Sequence, residues 1–161
     1  KTTAESDKMI ESYDNAKEEL KRIDHLIYVT LKYTRTVDVL LSVVERMVNS
    51  YEFIIEALII KAKDEGTLPE DVNNPIAKAN FVLKTYSSAV LTRNIKKYLM
   101  FRKLRRVEYT AKNEFRRHVT MTAFVDEQKI EVHIDSITSD FHELRKVLEI
   151  LQNMVTEQKN D

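Results

Sequence analysis

Apolar residues recur along most of this chain at steps of three and four, the spacing that gathers side chains on one face of a helix. Ile10, Tyr13, Ala16, Leu20, Ile23 and Ile27 predict a first helix from about Thr3 to Leu31. Val37, Leu40, Leu41, Val44, Met47, Val48, Tyr51, Ile55, Leu58 and Ala62 carry the strongest repeat and predict a second helix over about 36–64. Tyr33-Thr34-Arg35-Thr36, between them, supplies hydroxyls for a cap or a short turn. Gly66, the only glycine, stands where a helix C-terminus takes a left-handed residue. After a loop over 67–73, Asn74-Pro75 reads as an N-cap followed by proline at the first helical position. The short helix it opens pauses near Tyr86-Ser87-Ser88, and a longer one is predicted from about Leu91 to Phe115. Ile137, Phe141, Leu144, Leu148, Leu151 and Val155 predict the last helix.

The period changes to two after His118. Val119, Met121, Ala123 and Val125 alternate with Thr120, Thr122 and Phe124, and Ile130, Val132 and Ile134 alternate with Glu131, His133 and Asp135. That alternation predicts a β-hairpin, 118–125 with 129–135, across Asp126-Glu127-Gln128. The fold class is therefore mainly α: an antiparallel bundle of four to five helices in a single domain over 1–161, with a small β-hairpin (about 118–135) before the last helix.

Composition sharpens this picture. One Gly and two Pro in 161 residues favour long helices joined by short connections. Cysteine is absent, which excludes disulfides, thiolate chemistry and cysteine-based zinc sites. No apolar run approaches the ~20 residues of a membrane-spanning helix, so no membrane association and a cytoplasmic location are expected.

Charge adds a candidate surface. Overall, 26 Lys+Arg balance 26 Asp+Glu, yet Arg93–His118 holds ten Lys/Arg against two acids, Glu108 and Glu114. Tyr98, Arg102, Arg105, Tyr109, Lys112 and Arg116 follow one another at steps of four and three, one stripe if the segment is helical. Met100, Leu104, Val107, Ala111 and Phe115 would form an opposite, packing stripe. Arginines on such a face can meet successive phosphates while the phenols stack on bases, a combination suited to RNA. With Arg106, Arg117 and His118, these residues make up the candidate nucleic-acid-binding set. The competing reading pairs the basic helix with acids of its neighbours.

Arg116-Arg117-His118 falls at the expected helix-to-hairpin junction, and Tyr33–Thr36 can lie near it, since both connections follow long helices. Catalytic motifs are sparse. One glycine rules out a Gly-rich phosphate loop, and His25, His118, His133 and His142 share no ligand spacing, so neither metal nor cofactor is expected.

The layout of long helices, a basic segment ending in Arg116-Arg117-His118, a hairpin and a last helix is similar to that of archaeal helical proteins without an assigned role. More loosely, over roughly 5–157, it resembles the HEPN superfamily of helical bundles. Members bind nucleotides or RNA, many cleave RNA, and they often act as dimers beside nucleotidyltransferase partners. The superfamily's RNase signature, Arg followed after four to six residues by His, is missing: Lys112 and Asn113 stand where the arginine for His118 should be, and Arg106 is too far. The resemblance thus implies a non-catalytic member.

Three functions remain in view. The first is a non-catalytic RNA- or nucleotide-binding domain. The second is an interaction module, a homodimer or a subunit whose basic helix docks an acidic partner. The third is a metal-independent RNase built from Arg106, Arg116, Arg117 and His118. Salt-dependent RNA binding separates the first two.

Overall fold

Three helices begin by the same local device, a side-chain oxygen accepting a hydrogen bond from the backbone N–H three residues ahead. Thr36 Oγ1 accepts from Val39 at 3.3 Å, Asn74 Oδ1 from Ala77 at 2.9 Å, and Ser88 Oγ from Leu91 at 3.2 Å. In the computed structural model, which describes residues 3–160, they open α3 (Val37–Asp64), α4 (Pro75–Thr85) and α5 (Ala89–Leu104). α1 (Thr3–His25) precedes them, running through a π-helical segment (Leu26–Thr30) into a single turn, α2 (Leu31–Tyr33). α6 (Ile134–Asn160) follows directly from a sheet strand. Its start is held by a reciprocal pair: His133 Nδ1 accepts from the Ser136 N–H at 3.3 Å, and Ser136 Oγ accepts from the His133 N–H at 3.0 Å.

Gly66 ends α3 as its position suggested, at φ +73°. The Thr67 N–H reaches Ala62 O at 2.9 Å and the Gly66 N–H reaches Lys63 O at 3.2 Å, the paired closure of a left-handed C-terminus.

α3 is the central element, with Val44, Val48, Tyr51, Ile55 and Leu58 buried as their register predicts and Leu41 half-buried. Its closest neighbour is α1, and small residues allow the approach: Ala16 and Ser50 are both fully buried, and Ser50 Oγ donates to Ala16 O at 3.1 Å. Glu19, also buried on this seam, accepts from Arg22 at 3.0 Å and Arg46 at 3.3 Å. A buried carboxylate needs such partners to stay charged. α4, α5 and α6 close the core around the rest of α3. No described helix is long and apolar enough to cross a membrane.

The hairpin is present with a tighter turn than expected. β2 (Thr120–Val125) and β3 (Gln128–His133) pair antiparallel, Val125 opposite Gln128, so only Asp126 and Glu127 lie between them. Both have positive φ, +51° and +66°, the backbone of a two-residue turn that follows the strand twist.

The basic segment corrects the helix expected from Leu91 to Phe115. α5 stops at Leu104, Arg105 to Val107 turn away through tight bonds back to Phe101, Lys103 and Leu104, and Tyr109–Lys112 forms a further strand, β1. β1 pairs antiparallel with β2, Tyr109 opposite Ala123 and Lys112 opposite Thr120, giving a three-stranded sheet ordered β1-β2-β3. The steps of three and four run on for about three turns beyond Leu104 by coincidence. A ladder to β2 satisfies the backbone equally well, and Tyr109-Thr110 suits a strand. The supposed packing stripe breaks with the helix: Leu104 stays buried, but Ala111 and Phe115 are exposed.

Candidate nucleic-acid interface

The break in the helix divides the predicted cationic stripe into two halves with different fates. The first half is structural. Tyr98 is 1% exposed, and its hydroxyl donates to Glu52 of α3 at 2.9 Å. Arg102 reaches the same carboxylate at 2.7 Å, with its guanidinium 5.8 Å from the centre of the Tyr98 ring. Burial pushes the Tyr98 phenol up to about 12, and its bond to the Glu52 carboxylate adds to the rise. Arg105 lies 3.4 Å from Glu45, and its Nε is buried without a partner. Further along α5, Arg93 pairs with Glu143 at 2.9 Å and Lys97 with Asp140 at 3.6 Å. The acids of α3 and α6 therefore neutralise much of the charge that is concentrated in sequence. Tyr98, Arg102 and Arg105 do not share an exposed face with the others.

The second half is exposed, and the fold gives it a setting that periodicity did not suggest. Lys112 ends β1, and Arg116, Arg117 and His118 lie in the loop from Asn113 to Val119. That loop is clamped to the connection between α2 and α3. The Phe115 N–H donates to Arg35 O at 2.6 Å, and the Glu114 carboxylate accepts from the Val37 N–H, at the start of α3, at 3.2 Å. A carboxylate is favoured there by the helix dipole. The expected proximity of Tyr33–Thr36 to the Arg116-Arg117-His118 junction is thus present.

Clamping also shapes the loop. Asn113 and Phe115 sit at φ +57° and +68°. Asparagine tolerates the left-handed region, but for a phenylalanine it costs about 1–2 kcal/mol. The result is a ring left 76% exposed, on a segment joined to the one that carries Tyr33, 84% exposed. Two large aromatic rings in solvent on joined segments are unusual for a packing role.

Around them lie cations from three parts of the chain. Lys32, Lys112 and Arg116 are exposed and make no ion pair among the described residues. Arg117 reaches Asp135 at 2.7 Å, and that bond, with smaller effects of His133 and His118, holds the Asp135 carboxyl below its usual range. His133 lies beside Thr120, which in turn pairs with Lys112, so Lys112, Thr120 and His133 form a row across the outer sheet face. Lys32, Arg35 and Arg117, with Tyr28 and Leu31, line a recess of about 290 Å³ between the π-helical segment and the start of α6.

Arg106 and Tyr109 stand apart from this cluster. Arg106 lies in the turn after α5, and Tyr109 is at the far end of β1, about 10 Å of strand from Lys112. Of the nine predicted residues, Lys112, Arg116, Arg117 and His118 are brought together. Lys32, Tyr33, Arg35, Phe115 and His133 join them without having been singled out. Their sequence signal was the expected nearness of the Tyr33–Thr36 connection to the Arg116-Arg117-His118 junction, which covers Tyr33 and Arg35 alone. Among the described residues no three His, Asp or Glu side chains gather as a metal site.

The described residues therefore form a bundle of five helices, counting α1 through α2 as one continuous helix, with a three-stranded antiparallel sheet and a basic, aromatic end. No family model, curated protein or solved structure matches it, so function is read from the geometry.

Proposed function

We propose that this end of the bundle binds a polyanion, single-stranded RNA foremost, without catalysing a reaction. One observation carries the reading: Tyr33 and Phe115, both exposed on clamped segments, stand among unpaired Lys32, Lys112 and Arg116. Exposed rings give bases a stacking platform, and cations beside them meet the phosphates between those bases. Held by its backbone bond to Arg35, the loop presents the Phe115 ring without being ordered by the ligand, which lowers the entropic cost of binding.

The test is fluorescence anisotropy of a short labelled single-stranded RNA across a salt series. Affinity should fall as salt rises, with a log–log slope of about −0.7 per phosphate contact. Arg116→Glu combined with Lys32→Glu should weaken binding strongly and flatten that slope, while thermal stability stays near wild type because neither side chain has an ion-pair partner among the described residues. Tyr33→Ala should weaken binding by about 1–3 kcal/mol with the slope unchanged. Absence of binding at low salt, or indifference to the double variant, would refute the proposal.

A further inference from the structure

β1 is an edge strand guarded only by its shortness and by Lys112 at its end. The strand pairs with β2 on one side only, all four of its residues are exposed, and, among the described residues, 108–112 make no backbone bonds outside that ladder. Natural edges are normally blunted by proline, a bulge or a covering element, because open N–H and C=O groups recruit another strand. Here the register from Tyr109 to Lys112 is uninterrupted, and helices pack on β2 and β3 while every β1 residue stays exposed.

We propose that the partner for this edge is a second copy of the same chain, joined antiparallel about a two-fold axis through Thr110 and perpendicular to the sheet. Such an axis preserves the two faces of the sheet, so residues of like parity meet across it. Thr110 then stands opposite Thr110 of the second copy, Tyr109 opposite Ala111, and Glu108 opposite Lys112. The register is self-complementary in charge. Glu108 and Lys112 are both exposed and make no ion pair among the described residues, and the two-fold supplies each with its opposite twice over. It is complementary in size as well. Tyr109 and Ala111 share the helix-facing side with buried Ala123 and Met121, yet both are exposed. Each ring would lie over the small side chain of the other copy. Moving the axis by one residue, to Tyr109 or Ala111, loses the Glu–Lys pairs. The product is a six-stranded sheet with both bundles on one side, and it engages Lys112 but leaves the Lys32, Tyr33, Phe115 and Arg116 part of each basic end free.

Sedimentation equilibrium of the full chain, from about 10 μM to about 1 mM, reads this directly, since weak edge contacts associate in that range. The mass should approach twice the monomer's 18.9 kDa as concentration rises. Glu108→Lys and Lys112→Glu should each weaken dimerisation about tenfold or more, because each puts like charges opposite one another at two places. The variant carrying both changes should regain wild-type association. Thr110→Cys, in a chain without other cysteines, should form a disulfide between copies under mild oxidation. Glu108→Lys should leave RNA binding intact, so loss of the dimer and loss of the basic end are distinguishable. A wild type that stays monomeric to the highest concentration, binding of an extended peptide from another protein in its place, or a double variant that fails to recover would overturn the proposal.

Discussion

Tyr98→Phe tests whether the first half of the basic stretch is structural. The change removes one oxygen from a side chain that is 1% exposed and leaves its volume almost unchanged. What is lost is the hydroxyl's bond to Glu52 at 2.9 Å, while Arg102 still holds that carboxylate at 2.7 Å. A hydrogen bond to a charged acceptor that keeps another partner contributes about 1–2 kcal/mol, so the variant should be less stable by that amount at pH 8. Alkali should reverse the order. A phenol whose folded pKa, about 12, lies above its unfolded value of 10.0 contributes its full stability below pH 10. That contribution is lost as pH rises towards about 12, because the unfolded chain releases the proton first. The loss can reach about 1.4 kcal/mol per pH unit, so the wild-type advantage should vanish near pH 11. Urea unfolding of both proteins, followed by circular dichroism at pH 8, 10 and 11, measures the difference and cancels the other titrating groups. A gap that is zero at pH 8, or does not change with pH, would refute the assignment of Tyr98 to the core. RNA binding should be the same in both proteins.

Two further outcomes follow from the ends of α3. Glu114→Ala removes the carboxylate that accepts from the Val37 N–H and one of the ties of the 113–118 loop; it should cost about 1 kcal/mol, lowering Tm by about 2–4 °C, and weaken RNA binding as the loop loosens. An unchanged melting curve would show that water replaces the cap without loss. Gly66→Ala meets no atom within 4 Å, so its cost should be the backbone term alone, about 1–2 kcal/mol for a side chain at φ +73°. A much larger drop in a thermal melt would mean that the turn packs more tightly than its open surroundings indicate.

Local chemistry determined much of the fold. The register of α3, the Asn74-Pro75 start, the Gly66 stop and the hairpin turn each depend on residues within about one helical turn or one hairpin, so they were legible in order along the chain. The basic stretch was not, because its spacing fits both a continued helix and an edge strand, and the choice rests on pairing with Thr120–Ala123. Its charge was legible, but not its exposure: the acids that cover Arg93, Arg102 and Arg105 lie 50, 50 and 60 residues away. The candidate site depends on longer-range contacts still. Glu114 caps Val37 across 77 positions, and Phe115 is tied to Arg35 beside it. Periodicity reports which face a residue occupies within its own element. Only the tertiary structure decided which elements share an end, and so which rings and cations stand together in solvent.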